Sequence, residues 1–211
     1  MKNLMILLTL ICGFNSWAGT PVEVNVPVEK VFTPNGFDNN DMSQVILSGF
    51  LPNLCHKSPS VSVEVVDKTI YLNATALSYE ETNPFCPEAI VPFVETVDVG
   101  ILDRGKYYVK VNVNTPYNNK GELFISETLN PSVDNHIYAF IEHVERIPGT
   151  RKVKLKGYNP SDCFEFDKIQ YVSNEKNVYS VLPKMKQVHP NCQYKMTPFS
   201  VETEVPNDLS A

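Results

Sequence analysis

Four of the five cysteines and two of the four histidines are the residues whose types and spacing could do chemistry in this 211-residue chain. Thiolates and imidazoles are the usual ligands of zinc, and paired cysteines can form disulfides. The set comprises Cys55, Cys86, Cys163 and Cys192, with His56 beside the first and His189 three residues before the last. Phe164 and not a histidine follows Cys163, so the Cys-His pair at 55–56 does not recur at 163–164. An even number of such cysteines favours disulfides, and we predict two bridges, no metal and no cofactor.

Recognisable catalytic motifs are absent from the sequence. There is no Gly-x-Ser-x-Gly elbow, no His-Glu-x-x-His pair and no phosphate-binding glycine loop. Serine, histidine and aspartate are scattered, and a triad assembled in space stays an open alternative. We predict that the protein is not an enzyme.

Five lysines alternate with apolar residues in the C-terminal part of the chain. Lys152, Lys154 and Lys156 are separated by single apolar residues, as are Lys184 and Lys186. Side chains two residues apart on a strand project from one face, so neighbouring strands would combine them into a basic patch. Such a patch could bind an anionic envelope glycan, a lipid headgroup or an acidic protein surface. The alternative is a solvated face whose lysines discourage edge pairing.

Two connections could present a rigid loop to a partner. The first, 33–38, includes Pro34, Asn35, Gly36 and Phe37 and has no counterpart later in the chain; the second is 80–85. A pre-organised loop is what a protease inhibitor needs. A secreted inhibitor is therefore the alternative to a non-catalytic binding or structural protein.

The first eighteen residues have the features of an export signal. Lys2 precedes the apolar run 4–12, and Ser16 and Ala18 are small residues suited to a cleavage site. Cys12 allows a lipoprotein as the rival interpretation, although Ile11 before it is large for that motif. We predict a mature chain from residue 19, without a transmembrane segment, in the bacterial periplasm, on the outer surface or in the medium.

The charge of the chain argues against a nucleic-acid partner. The chain has 18 basic and 24 acidic residues, a net charge of −6, whereas nucleic-acid binders normally carry a positive excess. Residues 19–127 contain 7 basic and 14 acidic residues, while 128–211 contain 10 of each. The acidic excess therefore lies in the N-terminal part.

An internal repeat divides the chain. Segment 47–55 matches segment 155–163 at an offset of 108 residues, with leucine, glycine, proline and cysteine at equivalent positions. A second block, from Cys86 to Phe93, matches Cys192 to Phe199 at an offset of 106. Two equivalent units would each close their own bridge, which predicts Cys55–Cys86 and Cys163–Cys192.

The patterns of both units are typical of strands. Valines alternate with other residues at 22–28 and 61–65, a turn at Asp67–Lys68 precedes a second run, and apolar stretches recur at 107–113, 122–126, 137–144 and 178–182. No run of ten residues has a helical period. We predict two packed β-sandwiches at 19–127 and 136–211, joined by a linker at 128–135.

These motifs resemble an immunoglobulin-like β-sandwich module found in exported bacterial proteins. The similarity lies in Gly-aromatic-x-Pro-x-x-Cys from Gly49 to Cys55, in Cys86, in Pro92-Phe93, and in Gly-x-Tyr-x-Val-x-Val-Asn from Gly105 to Asn112. The resemblance implies an all-β fold of two tandem immunoglobulin-like domains, and it carries no catalytic residues. Modules of this fold serve many functions.

The second unit is shorter than the first. After Phe93 the first unit continues through two further strands, whereas after Phe199 only twelve residues remain. The second sandwich is therefore expected to lack its last hairpin and to leave a sheet edge open. That edge could be capped by the chain itself, could accept a partner strand, or could mediate self-association. The stripe at 22–28 is either the first strand of unit one or, in the extreme case, a strand donated to another chain.

Overall fold

A computed structural model describes residues 20–83, 85–130, 137–159 and 161–206. Fourteen strands and no helix occur within these ranges. The strands of the N-terminal half are β1 Val22–Asn25, β2 Val28–Phe32, β3 Met42–Leu51, β4 His56–Val66, β5 Thr69–Ser78, β6 Val91–Ile101, β7 Gly105–Val111 and β8 Asn119–Ile125. Those of the C-terminal half are β9 Ile137–Tyr138, β10 Phe140–Arg146, β11 Lys152–Asn159, β12 Phe164–Ser173, β13 Tyr179–Gln187 and β14 Thr197–Glu204. The predicted all-β fold is confirmed.

Two sheets face each other in the N-terminal half. One sheet contains β1, β4, β5, β7 and β8, and the other has the order β2-β3-β6. Their inner faces enclose one apolar core, to which Leu47 of β3, Ile70 of β5 and Val109 of β7 contribute fully buried side chains. Alternation along each strand produces this core, because successive side chains point to opposite faces of a sheet.

The valine stripe at 22–28 forms two strands where a single one was expected. Val26 N–H still donates to Ala74 O of the first sheet at 3.1 Å, whereas Pro27 O accepts from Phe50 N–H of the second sheet at 3.2 Å. Proline has a fixed φ and no N–H to place in a ladder, so the chain changes sheets at Pro27. The segment pairs with β5 and β3 of its own chain.

The C-terminal half repeats this change of sheet. Its sheets have the orders β10-β11-β14 and β12-β13-β9. The apolar run at 137–144, expected to be a single strand, is divided at Ala139, whose N–H donates to Pro183 O at 2.9 Å. The buried cluster of this half is smaller and contains Ala139, Met185 and Phe199.

The two halves share one pairing scheme. The order β2-β3-β6 corresponds to β10-β11-β14, and β4 and β1 flank β5 as β12 and β9 flank β13. The hairpin β7–β8 has no counterpart among the described strands of the C-terminal half. Half of one β13 edge therefore pairs with no described strand that corresponds to β7.

Strands of each half pair only within their own half in the described residues. The predicted signal segment 1–18 and residues 131–136 of the predicted linker lie outside those residues. No helix with the length and hydropathy needed to cross a membrane occurs in the described part of the chain.

Candidate binding surfaces

Both predicted disulfides are present. Cys55 pairs with Cys86 and Cys163 with Cys192, with Cα–Cα distances of 5.4 and 5.5 Å. Cys55 and Cys163 are buried in the short connections that follow β3 and β11. His56 lies beside the first bridge, and its Nδ1 is 2.9 Å from Asn53 Oδ1. Each bridge thus ties the short connection after β3 or β11 to the longer connection that follows β5 or β13.

The five predicted lysines do not form one patch. The prediction required their two strands to be neighbours, but β11 and β13 belong to different sheets. Leu155 and Met185 point inward and are buried, so the lysines that alternate with them project from the two opposite outer faces. These lysines are Lys152, Lys154 and Lys156 on β11, and Lys184 and Lys186 on β13.

Carboxylates flank the lysines of β11. Lys152 is opposite Glu204 and Lys154 is opposite Glu202 across the β11–β14 ladder. On the other side, Lys156 Nζ lies 2.5 Å from Glu145 Oε1. The hydrogen bond from Lys156, together with the positive charge of that lysine and of His143 and Lys154, holds the pKa of Glu145 below its ordinary value. The surface is a ladder of mixed charge and has a weaker field than a row of uncompensated lysines.

The loop Pro34–Phe37 lies between the two halves instead of projecting into solvent. Asn35 O accepts from Ser180 Oγ at 3.2 Å, and Asn35 Nδ2 donates to Ser173 O at 3.2 Å. Phe37 O accepts from both the N–H and the Oγ of Ser126, at 3.0 and 3.1 Å. An inhibitor loop must project into solvent to enter a protease, whereas the C-terminal half lies against this loop.

The turn between β12 and β13 makes a second set of contacts with the N-terminal half. Asn174 Nδ2 donates to Thr33 O at 3.2 Å, and Lys176 Nζ lies 2.7 Å from Glu122 Oε2. Lys106 reaches the other oxygen of Glu122 at 2.7 Å. Hydrogen bonds from Lys106 and Lys176 lower the pKa of Glu122 to about 2. Sequence reasoning missed these residues, because turn asparagines and isolated charges have no periodicity.

A cleft of about 390 Å³ separates β13 from the outer face of β3. Met42 and Ile46 line it on the β3 side, Phe37 lies at the loop, and Val181 and Leu182 line it on the β13 side. Cavities of this size are in the range of small ligand sites. The cleft follows the part of the β13 edge that lacks a counterpart of β7.

On the side of this cleft, β13 has backbone groups that no described strand pairs. Pro183 O accepts from Ala139 N–H and so points to the β9 side of the strand. Backbone groups alternate in direction along a strand, so the N–H and C=O of Tyr179 and Val181 point to the same side, beyond the end of β9. In the N-terminal half, β7 occupies the equivalent stretch of β5, pairing with Thr69–Leu72.

Comparison with known proteins gives one match. A family model described as the ORF11 beta-sandwich domain matches residues 45–122, from within β3 to within β8. This part of the chain is similar to that domain, in agreement with the two facing sheets. No curated protein and no solved structure matches the chain.

Proposed function

We propose that the protein is an exported, non-catalytic binding protein of the bacterial cell envelope that holds an extended segment of a partner protein along the open edge of β13. The observation that carries this proposal is the exposed backbone of Tyr179 and Val181 beside an apolar cleft. The export signal predicted at residues 1–18 supports an envelope location. An anionic envelope glycan is the competing partner, and the lysines of β11 are its candidate contacts.

We also infer that the chain consists of two tandem immunoglobulin-like domains derived from one repeated unit. The shared pairing scheme of the two halves supports this inference, as do the equivalent disulfides. In that arrangement no described strand of the second domain corresponds to β7. The open edge is then a consequence of the missing hairpin.

Strand addition fits the chemistry of the cleft. An incoming strand would bond to the N–H and C=O of Val181 and Tyr179, and main-chain bonds of this kind provide affinity in strand addition. Its alternate side chains would face Met42 and Ile46 across the cleft. The partner segment is therefore expected to be extended and to carry apolar residues at every second position.

In-cell crosslinking tests the proposal. A photo-reactive phenylalanine replaces Met42, which lines the cleft and is 55% exposed. In the control protein it replaces Val94 on β6, which is 66% exposed. The tagged protein is expressed in its own host, and captured partners are identified by mass spectrometry. One dominant protein is expected from the Met42 site and not from the Val94 site.

A backbone variant identifies the edge as the binding element. Val181→Pro removes an N–H that points to the open side and leaves the β12 ladder intact, as Pro183 already does two residues later. Val181→Thr keeps the N–H and is the matched control. Capture lost in Val181→Pro and retained in Val181→Thr would support the proposal. Equal capture by both variants, or recovery of envelope glycan alone, would overturn it.

The inhibitor alternative depends on the second candidate loop. Phe85 is 72% exposed beside the bridged Cys86. At the other end of the loop, Glu80 Oε1 accepts a hydrogen bond from Asn53 Nδ2 at 2.6 Å. An exposed aromatic residue on a disulfide-anchored loop is suited to a protease pocket. This alternative would be favoured if the same experiment captured a protease, and if that capture were lost in Phe85→Ala but retained in Val181→Pro.

A further inference from the structure

We propose that β4 pairs antiparallel with β4 of a second copy of this chain, centred on Val63, so that the first sheets of two molecules become one continuous sheet. This inference concerns the other sheet of the N-terminal half from the one that lines the cleft, and it does not depend on the proposed function. The arguments come from the backbone directions, the side chains and the charges of the segment Ser60–Val66.

The backbone of β4 presents unpaired groups at regular intervals. Leu72 O and Ala74 O accept from Asn112 N–H and Val26 N–H, on the side of β5 that is turned away from β4. The β5 residues that bond to β4 are therefore the alternate ones, opposite Ser62 and Glu64. It follows that Val61, Val63 and Val65 direct their N–H and C=O groups outward. No described strand lies on that side of β4.

These groups complement an identical strand. When Val63 lies opposite Val63 of the other copy, Val61 lies opposite Val65. All three residues are then in hydrogen-bonded positions on both chains, which pairs every outward N–H with an outward C=O. A two-fold axis through the Val63 pair relates the two molecules, as an isologous interface requires.

The side chains of this segment favour the same register. The sequence from Val61 to Val65 is Val-Ser-Val-Glu-Val, so an antiparallel copy places valine opposite valine. Val63 and Val65 lie on the face shared with Leu72 and Ile70 but remain 37% and 39% exposed. β-branched pairs across an antiparallel ladder are stabilising, and a neighbouring strand would cover these exposed flanks.

The charges permit this pairing. Glu64, the only charged residue from Ser60 to Val66, lies opposite the serine Ser62 in the proposed register. Each end of the paired segment also brings Lys57 of one copy to the Asp67–Lys68 turn of the other, where Lys68 Nζ donates to Asp103 O and Arg104 O of its own chain. Like charges directly opposite each other would be destabilising, and this register contains none.

The corresponding strand of the C-terminal half lacks these properties. Strand β12 has a register shift between Phe166 and Lys168, and it carries Glu165 and Asp167 beside that irregularity. Bulges and charges are the features that discourage edge pairing. The register shift of β4 lies between Lys57 and Ser60, before the valine segment 61–65, and this uninterrupted segment distinguishes the edge of β4 from that of β12.

Cysteine scanning tests the register directly. In the proposed dimer Val63→Cys meets itself at the two-fold axis, at the Cα separation of about 5.5 Å found for hydrogen-bonded pairs, which a disulfide can span. Ser62→Cys is the matched control, because it lies opposite Glu64 on the other face. Oxidation of the protein from residue 19 onward is expected to crosslink Val63→Cys into dimers and to leave Ser62→Cys mainly uncrosslinked.

Sedimentation equilibrium tests the association without a crosslink. Val63→Lys places two ammonium groups opposite each other and is expected to raise the dimer dissociation constant at least ~10-fold, whereas Val63→Thr keeps the shape and the dimer. Unchanged thermal unfolding at low concentration would establish that Val63→Lys still folds. A wild-type protein that stays monomeric at its highest soluble concentration would overturn the proposal. So would a dimer that persists in Val63→Lys, or crosslinking that is equal at both cysteines.

Discussion

Gly49 and Gly157 are equivalent residues of the two halves, and both allow a close crossing of the chain. A Cβ on Gly49 would lie 2.2 Å from Pro27 O, and one on Gly157 would lie 1.8 Å from Phe140 O. Real Cβ atoms essentially never approach backbone oxygen so closely. The glycines are therefore required where the chain passes from one sheet to the other.

The substitution Gly49→Ala is expected to destabilise the protein by about 3 kcal/mol, at the upper end of the cost of overpacking, because the nearest atom belongs to the backbone and cannot rotate away. The free energy of unfolding in urea measures the effect. Ser48→Ala, on the outer face of the same strand, is the control and should change stability by less than about 0.5 kcal/mol. Equal effects of the two substitutions would refute this explanation of the repeated glycine.

The buried side chain of Asn112 joins strands that are far apart in the sequence. The sequence marks it only as the end of the Gly-x-Tyr-x-Val-x-Val-Asn run. In the structure its side chain is buried, accepts from Ala74 N–H at 2.7 Å and donates to Val26 O at 2.9 Å. One amide thus links the end of β1, the middle of β5 and the end of β7. Its role arises from the meeting of three distant segments.

At the scale of elements, each half contains one disulfide, and the apolar cores of the two halves are unequal. The N-terminal core contains large buried side chains from both sheets, such as Leu47, Ile70 and Leu123, whereas the C-terminal cluster contains Ala139, Met185 and Phe199. The bridges close loops of similar length, with sequence separations of 31 and 29 residues. The chain-entropy model assigns each bridge about 3–4 kcal/mol, so the smaller core depends more on its bridge.

Replacing Cys163 and Cys192 by serine is therefore expected to unfold the C-terminal half while the N-terminal half stays folded. Replacing Cys55 and Cys86 should lower stability without unfolding either half at 25 °C. Hydrogen exchange followed by mass spectrometry would report protection separately for β3 and β11. Retained protection of β11 in the first variant would contradict this prediction.

At the scale of the whole molecule, Glu122 connects the halves through charge. Its carboxylate receives hydrogen bonds from Lys106 of its own half and from Lys176 of the other. Because the folded-state pKa of Glu122, about 2, is below its ordinary value of 4.5, ionised Glu122 stabilises the folded state above pH 4.5. That contribution is lost as the pH falls toward 2.

The midpoint of thermal unfolding should therefore differ between wild type and Glu122→Gln at pH 7, and the difference should shrink between about pH 4.5 and 2. Scanning calorimetry at low salt would measure it, since the group is exposed and screened by ions. Lys176→Met removes only the ion pair of Glu122 with the other half, and Lys106→Met removes only its ion pair within the N-terminal half. A difference that stays constant down to pH 2 would contradict the assignment.

The amino-acid sequence by itself predicted the all-β class, many of the strands and the two disulfides, and it indicated that the second unit has no counterpart of β7–β8. Alternating valines identify strands because the period of two is local. The offsets of 108 and 106 residues align the cysteines without any coordinates. The same local patterns could not show that Pro27 and Ala139 divide apparently continuous stripes, because a change of sheet depends on which distant strand accepts each hydrogen bond.

Only the tertiary structure decided where the candidate binding residues lie. It separates the lysines of β11 from those of β13, and it places Pro34–Phe37 against Ser173 and Ser180. Alternation specifies that a side chain leaves the core, but not which sheet carries it or what lies opposite. The open edges of β13 and β4 likewise follow from pairing between segments far apart in the chain. A local pattern contains no information about such pairing, which is a property of the assembled fold.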